Sequence, residues 1–151
     1  MNSQNNNEEP KLFTFTVPGK PQGKARARTF YNSKSDKMSS VTPEKTVLYE
    51  NLIKTCFQQK YGQKRFSDDA YVVANILAYF EPPKSISKKK RAEMLEGKIW
   101  PAKKPDSDNI AKVVLALNGI AYHDDTQIIK LSVTKAYKEE AYLSVTLMEL
   151  K

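Results

Sequence analysis

Apolar and polar residues alternate from Leu12 to Val17, with Phe13, Phe15 and Val17 on one side, and this period of two predicts a strand. Pro18 to Arg28 breaks the pattern: Gly19, Pro21 and Gly23 interrupt regular structure, and basic residues stand between them. Thr42-Pro43 predicts a helix start, with Thr42 as N-cap and Pro43 at the first helical position. Tyr49, Leu52, Ile53, Cys56 and Phe57 then recur at helical spacing, forming one apolar stripe that ends near Tyr61-Gly62 and whose ordinary use is core packing. Tyr71 to Phe80, rich in Val, Ile and aromatics, predicts a well-buried strand that Pro82-Pro83 ends. Ser87 to Gly97 reads as a short basic helix capped by Ser87, Lys98 to Pro105 as a loop, and Asp108 to Asn118 as a helix stopped by Gly119. Ile120 to Tyr122 is too short to assign. Gln127 to Ala136 and Ala141 to Leu150 both alternate, and the short Tyr137–Glu140 link between them predicts an antiparallel hairpin.

This mixture of strands and helices predicts an α+β fold: a single domain with a small mixed β-sheet flanked by helices. The length of 151 residues suits one domain with one core. Met1 to Pro10 is rich in Asn, Gln and Glu, so residues 1–11 are expected to be a disordered lead-in and residues 12–151 the domain. That lead-in has no apolar signal-peptide core, and no apolar run approaches the roughly 20 residues of a membrane span. Cys56 is the single cysteine, which excludes an intramolecular disulfide and favours a reducing compartment. A cytoplasmic protein with no membrane partner is expected.

Charge narrows the partners. The net charge of +8 favours a polyanion. It is also localised. Lys20, Lys24, Arg26, Arg28, Lys34 and Lys37 face one acid, Asp36, in residues 20–37. Lys84, Lys88, Lys89, Lys90, Arg91, Lys98, Lys103 and Lys104 face Glu93 and Glu96 in residues 84–104. The acids gather instead at 106–108 and 124–125. Basic tracts around a small acidic centre suit a nuclease, in which bases hold phosphates and acids hold metal.

Asp106 and Asp108 fall at the mouth of the predicted helix, where either one could serve as an N-cap favoured by the helix dipole. That role needs one acid and does not need Lys112 or the second acidic pair. From Asp108 to Asn118 a helix climbs about 15 Å. Gly119 turns the chain, and the extended residues that follow return roughly 16–20 Å. Asp124 and Asp125 then come level with Asp106 and Asp108, while Lys112 lies one turn above Asp108. Crowded carboxylates repel unless a cation joins them, and hard oxygen donors suit Mg2+ or Mn2+. A zinc-type site is excluded by one histidine and one cysteine far apart in the chain, and no Gly-rich phosphate motif of a nucleotide cofactor is present. The lone His123 forms no catalytic triad. Tyr79, Phe80 and Trp100 flank the basic tract and suit packing better than base stacking.

Lys104-Pro105-Asp106-Ser107-Asp108-Asn109-Ile110 with Lys112, then Leu117-Asn118-Gly119-Ile120 and Asp124-Asp125-Thr126-Gln127-Ile128, resembles the signature of the RusA family of crossover junction endodeoxyribonucleases, Holliday junction resolvases common in phages and prophages. Val17-Pro18-Gly19-Lys20-Pro21 with Lys24, Arg26 and Arg28, Val41-Thr42-Pro43 with Thr46, Tyr49 and Glu50, and the Ser85–Lys90 tract are similar to other parts of the family. The resemblance covers roughly residues 12–150. It implies a homodimer in a bacterial host cytoplasm that nicks opposed strands of a four-way DNA junction using Mg2+. It also implies catalytic roles for Asp106, Asp108, Lys112 and Asp125, with Asp106, Asp108, Asp125 and Asp124 as metal-binding carboxylates. Lys24, Arg26, Arg28, Lys88, Lys89, Lys90, Lys103 and Lys104 are the expected DNA contacts. The chain departs from the family between Lys112 and Gly119, where the helix is one residue short and lacks an acid that family members often carry. Two rivals share parts of this reading: a nuclease for flaps or forks, and a non-catalytic branched-DNA-binding module.

Overall fold

The computed structural model describes residues 11–151; residues 1–10, most of the expected lead-in, lie outside the described residues. The strands are β1 (Leu12–Pro18), β2 (Arg28–Asn32), β3 (Lys37–Val41), β4 (Tyr71–Phe80), β5 (Ile128–Tyr137) and β6 (Tyr142–Leu150). The helices are α1 (Glu44–Tyr61), α2 (Lys88–Leu95) and α3 (Ser107–Val114), with 3-10 turns at Leu115–Leu117 and Asp125–Gln127. The α+β expectation holds. A mixed sheet runs in the order β1-β6-β4-β5, and β2 with β3 forms a separate two-stranded ribbon.

The alternation in β1 buries Phe13, Phe15 and Val17 as its pattern requires. Phe13 meets Phe57 of α1 edge-on at 5.4 Å and Phe66 at 4.8 Å, which fixes α1 against the sheet. The α1 stripe buries Tyr49, Ile53 and Phe57, whereas Leu52 remains largely exposed. The start of α1 shifts by one position from the expected cap. Pro43 itself has extended dihedrals and occupies the N-cap, and its carbonyl accepts from the Thr46 and Val47 amides. Gly62, at a φ of 62°, ends the helix by donating to the Gln58 carbonyl. Ser87 caps α2 as expected, accepting from the Lys90 amide.

The expected hairpin of the last two strands is not formed. β4 lies between β5 and β6, parallel to β5 and antiparallel to β6. Its side chains explain the choice: Val72, Ala74, Ile76, Ala78 and Phe80 are all buried, so the most apolar strand takes a central place. The 138–141 connection crosses the end of β4, where the Lys138 amide donates to the Phe80 carbonyl. Two strand spacings of roughly 9.5 Å lie within reach of so short a segment.

The expected Asp108–Asn118 helix starts earlier and tightens sooner. α3 begins at Ser107 and gives way to a 3-10 turn at Leu115. Three 3-10 residues climb about 6 Å, the rise of four α-helical residues, while turning about 40° less. The tighter turn therefore gives this short helix the rise of one further residue. No helix among the described residues is long and apolar enough to cross a membrane.

Candidate active site

The site is assembled where the 19–27 loop meets the start of α3. Gly23 permits the contact: a Cβ there would stand 2.8 Å from Pro105 Cβ and 2.9 Å from Asn109 Cβ. The Lys24 amide donates to the Asn109 carbonyl at 2.9 Å, and the Ala25 amide donates to Thr46 Oγ1 at 3.1 Å. The loop is thus tied to both α3 and α1. Its basic side chains line two adjoining cavities. One, of about 580 Å³, is lined by Lys24, Arg26, Asp106, Asp108 and Lys112, among others. The second, of about 760 Å³, shares Lys24, Arg26 and Asp106 and adds Lys20, Lys45 and Lys104.

Asp106 occupies the N-cap position of α3, and its backbone carbonyl accepts from the Ile110 amide. Its carboxylate makes no capping hydrogen bond. The side chain sits exposed in the cavity wall, so the ordinary reason for an Asp at a helix start does not account for its use here. Asp108 lies in the first turn and pairs with Lys112 at 3.6 Å, both side chains being mostly exposed.

Lys135, on β5, aims its ammonium at the loop leading into Asp106. Its Nζ donates to the Lys103 carbonyl at 2.7 Å and the Pro105 carbonyl at 3.1 Å. Charge-assisted bonds of this kind fix backbone strongly. No local pattern marks this role, because the lysine and the carbonyls it holds are 32 and 30 positions apart.

The second acidic pair belongs to a separate network. Asp124 caps the 3-10 turn, accepting from the Thr126 hydroxyl at 2.6 Å and the Thr126 amide at 3.3 Å. These bonds, with help from Asn118 and the Asp125 amide, hold its carboxyl below the usual range. Asp125 accepts from the Tyr122 hydroxyl at 2.9 Å. Burial, then that hydrogen bond and the charges of Asp125 and Asp124, push the Tyr122 hydroxyl far up. Gln127 completes a capping box: its Oε1 accepts from the His123 and Asp124 amides, and its Nε2 donates to the Ser67 and Ala70 carbonyls. This side chain pins the acidic turn to the entry of β4.

The structure therefore gathers Lys24, Arg26, Asp106, Asp108 and Lys112 around one cavity and Lys104 around the next. Asp124 and Asp125 line neither, and among the described residues no three acidic, histidine or cysteine side chains form a metal-holding group. Lys88, Lys89 and Lys90 form the exposed first turn of α2. Lys103 stands 5.9 Å from the Tyr137 ring, and Arg28 opens β2. Phe80 is core, Tyr79 packs on Tyr142 at 4.8 Å, and Trp100 is exposed.

This α+β domain thus sets two exposed carboxylates, one of them paired with a lysine, into a cleft lined by further cations. The chain belongs to the RusA endodeoxyribonuclease family, whose model matches residues 18–148. It is also 32% identical over 139 residues to the uncharacterized protein YqaN of Bacillus subtilis (strain 168), covering 90% of this chain and 95% of that protein.

Proposed function

We propose that this protein is a Mg2+-dependent endonuclease that resolves four-way DNA junctions by nicking opposed strands, acting as a homodimer in recombination and repair. One observation carries the reading most: the Asp106 carboxylate, at a helix mouth it does not cap, shares a cavity with Asp108, Lys112, Lys24 and Arg26. The family of endodeoxyribonucleases to which the chain belongs supports the same reaction.

The donor set fits a hard divalent ion. Mg2+ is usually held by one or two carboxylates together with water and substrate phosphate, and Asp106 and Asp108 offer such a pair of exposed oxygen donors. A bound Mg2+ would supply Lewis-acid polarisation of the phosphate and activation of water. Asp125, held by the Tyr122 hydroxyl on the turn after α3, and Asp124, which caps that turn, line neither cavity, so the reading rests on Asp106 and Asp108. Lys24 and Arg26 hold the phosphate beside the acids. Lys112 stabilises the charge that develops on it in the transition state.

The first turn of α2 supports an anionic partner independently. Lys88, Lys89 and Lys90 crowd a helix N-terminus with no acid among them, an arrangement the helix dipole disfavours. DNA phosphate would offset that cost. Two cuts on a two-fold junction call for two related sites, hence the dimer.

Asp108→Asn tests the catalytic assignment. Cleavage of a four-way junction in Mg2+ is expected to fall by at least about a hundredfold, while binding of the same junction survives. Retained cleavage would remove Asp108 from the chemistry. A wild-type protein that binds junctions yet never cuts them with Mg2+ or Mn2+ would instead be a binding module.

A further inference from the structure

The β2–β3 ribbon has no role in the site described above. Both strands are exposed along nearly their whole length, with only Asn32 and Ser39 partly covered. Their register pairs Arg28 with Val41, Phe30 with Ser39 and Asn32 with Lys37 on one face, and Thr29 with Ser40 and Tyr31 with Met38 on the other. Phe30, Tyr31, Met38 and Val41 are 47%, 59%, 67% and 51% exposed, which is unusual for a ribbon belonging to a folded domain. An isolated two-stranded hairpin is marginally stable in water, so a partner that covers it would have an effect on its order.

Charge indicates what that partner is. Arg28, Lys34 and Lys37 lie on the ribbon and its turn, with Arg26 just before it. The one acid in residues 26–41 is Asp36, which accepts the Tyr31 hydroxyl. Thr29, Ser33, Ser35, Ser39 and Ser40 add hydroxyl donors of the kind that bond phosphate oxygens. The ribbon also starts where the acidic cavity ends: Lys24 and Arg26 line that cavity, and β2 begins at Arg28. Five extended residues reach roughly 16 Å, the length of about five base pairs at 3.4 Å each. A two-stranded ribbon also fits the width of a duplex major groove.

We infer that the β2–β3 ribbon is a duplex-binding arm, which grips a DNA arm beside the cleavage site through Arg28, Lys34 and Lys37, with Phe30, on the same face as Arg28 and Lys37, against the groove. This inference rests on the proposed branched-DNA reading and extends it to an element outside the acidic cavity. The partner is duplex DNA, recognised through its backbone and groove shape.

The test uses the full chain with Lys34→Gln and Lys37→Gln together. Neither side chain is buried, so the melting temperature is expected to be unchanged. Affinity for a four-way junction at low salt should fall about tenfold. The slope of log affinity against log salt should become shallower by about 2, since each neutralised phosphate contributes about 0.9. A second full-chain variant, Phe30→Ser, should weaken junction binding without changing that slope. Wild-type affinity and slope in the double variant overturn the inference. So does a loss of self-association with junction binding intact, which would make a second copy of the chain the ribbon's partner. Failure of the wild-type protein to bind branched DNA at all removes the functional reading first, and is distinguishable from both.

Discussion

Asp106 allows stability and the proposed function to be tested separately at a single residue. Its position is that of a helix cap, but its carboxylate forms no capping bond. Asp106→Asn should therefore leave stability within about 0.5 kcal/mol of wild type in chemical denaturation, while junction cleavage falls at least about a hundredfold. A matching loss of stability would return the residue to an ordinary structural role. Tyr122 gives a second residue-scale test. Its hydroxyl is raised above the ordinary value of 10.0 in the folded state. The unfolded chain thus gives up this proton first as pH rises, and folding stability falls. The contribution is complete below pH 10 and is lost through the window above it. Tyr122→Phe should flatten that alkaline decline, measured as melting temperature from pH 8 upward; an unchanged decline would assign it to other groups. Asp106 and Asp108 are legible as a pair because they fall in one short segment, whereas the expected return of Asp124 and Asp125 to the same volume is not seen, since both are held in the separate 3-10 turn network. Lys135 and Gln127 are not legible, because the carbonyls they hold are 32 and 60 positions away and no local pattern marks such a pairing.

At the scale of elements, the site depends on one loop packed against one helix start. Gly23 is the point of closest approach, and a methyl group there would meet Pro105 Cβ at 2.8 Å and Asn109 Cβ at 2.9 Å. Gly23→Ala should cost about 1–3 kcal/mol through overpacking and weaken junction binding at the same time, since the Lys24 and Arg26 side chains leave the cavity edge as the loop moves. Calorimetry and a binding titration on the same protein check this; normal values for both would mean the loop adapts freely. Elements with a buried face were readable from the sequence. β1, β4 and α1 each commit one face to the core, and periodicity shows it. The β2–β3 ribbon buries neither face, so it leaves no hydrophobic alternation to read. The hairpin expected of β5 and β6 fails for a different reason. A short link between two alternating strands is the mark of a hairpin, and nothing in either strand reports that β4 enters between them. The tightening of the chain into a 3-10 turn at Leu115 left no mark in the residue pattern; it accompanies the packing of Leu117, which is fully buried.

For the whole molecule, a net charge of +8 is distributed so that cations surround the acidic cavity. The basic loop, the α2 lysines and the β2–β3 ribbon are three separate elements that would meet a large polyanion, and a junction with several arms is such a partner. The fold places Asp106 and Asp108 beside this surface through two loops, one tied to α3 by the Lys24 amide and the other held by Lys135. The most direct measurement compares cleavage of a four-way junction, a fork and plain duplex by the wild-type protein in Mg2+. The account predicts paired nicks in opposed strands of the junction, little cutting of duplex, and no cutting when the ion is chelated. Equal cutting of plain duplex, or junction cleavage that persists without a divalent ion, would contradict it.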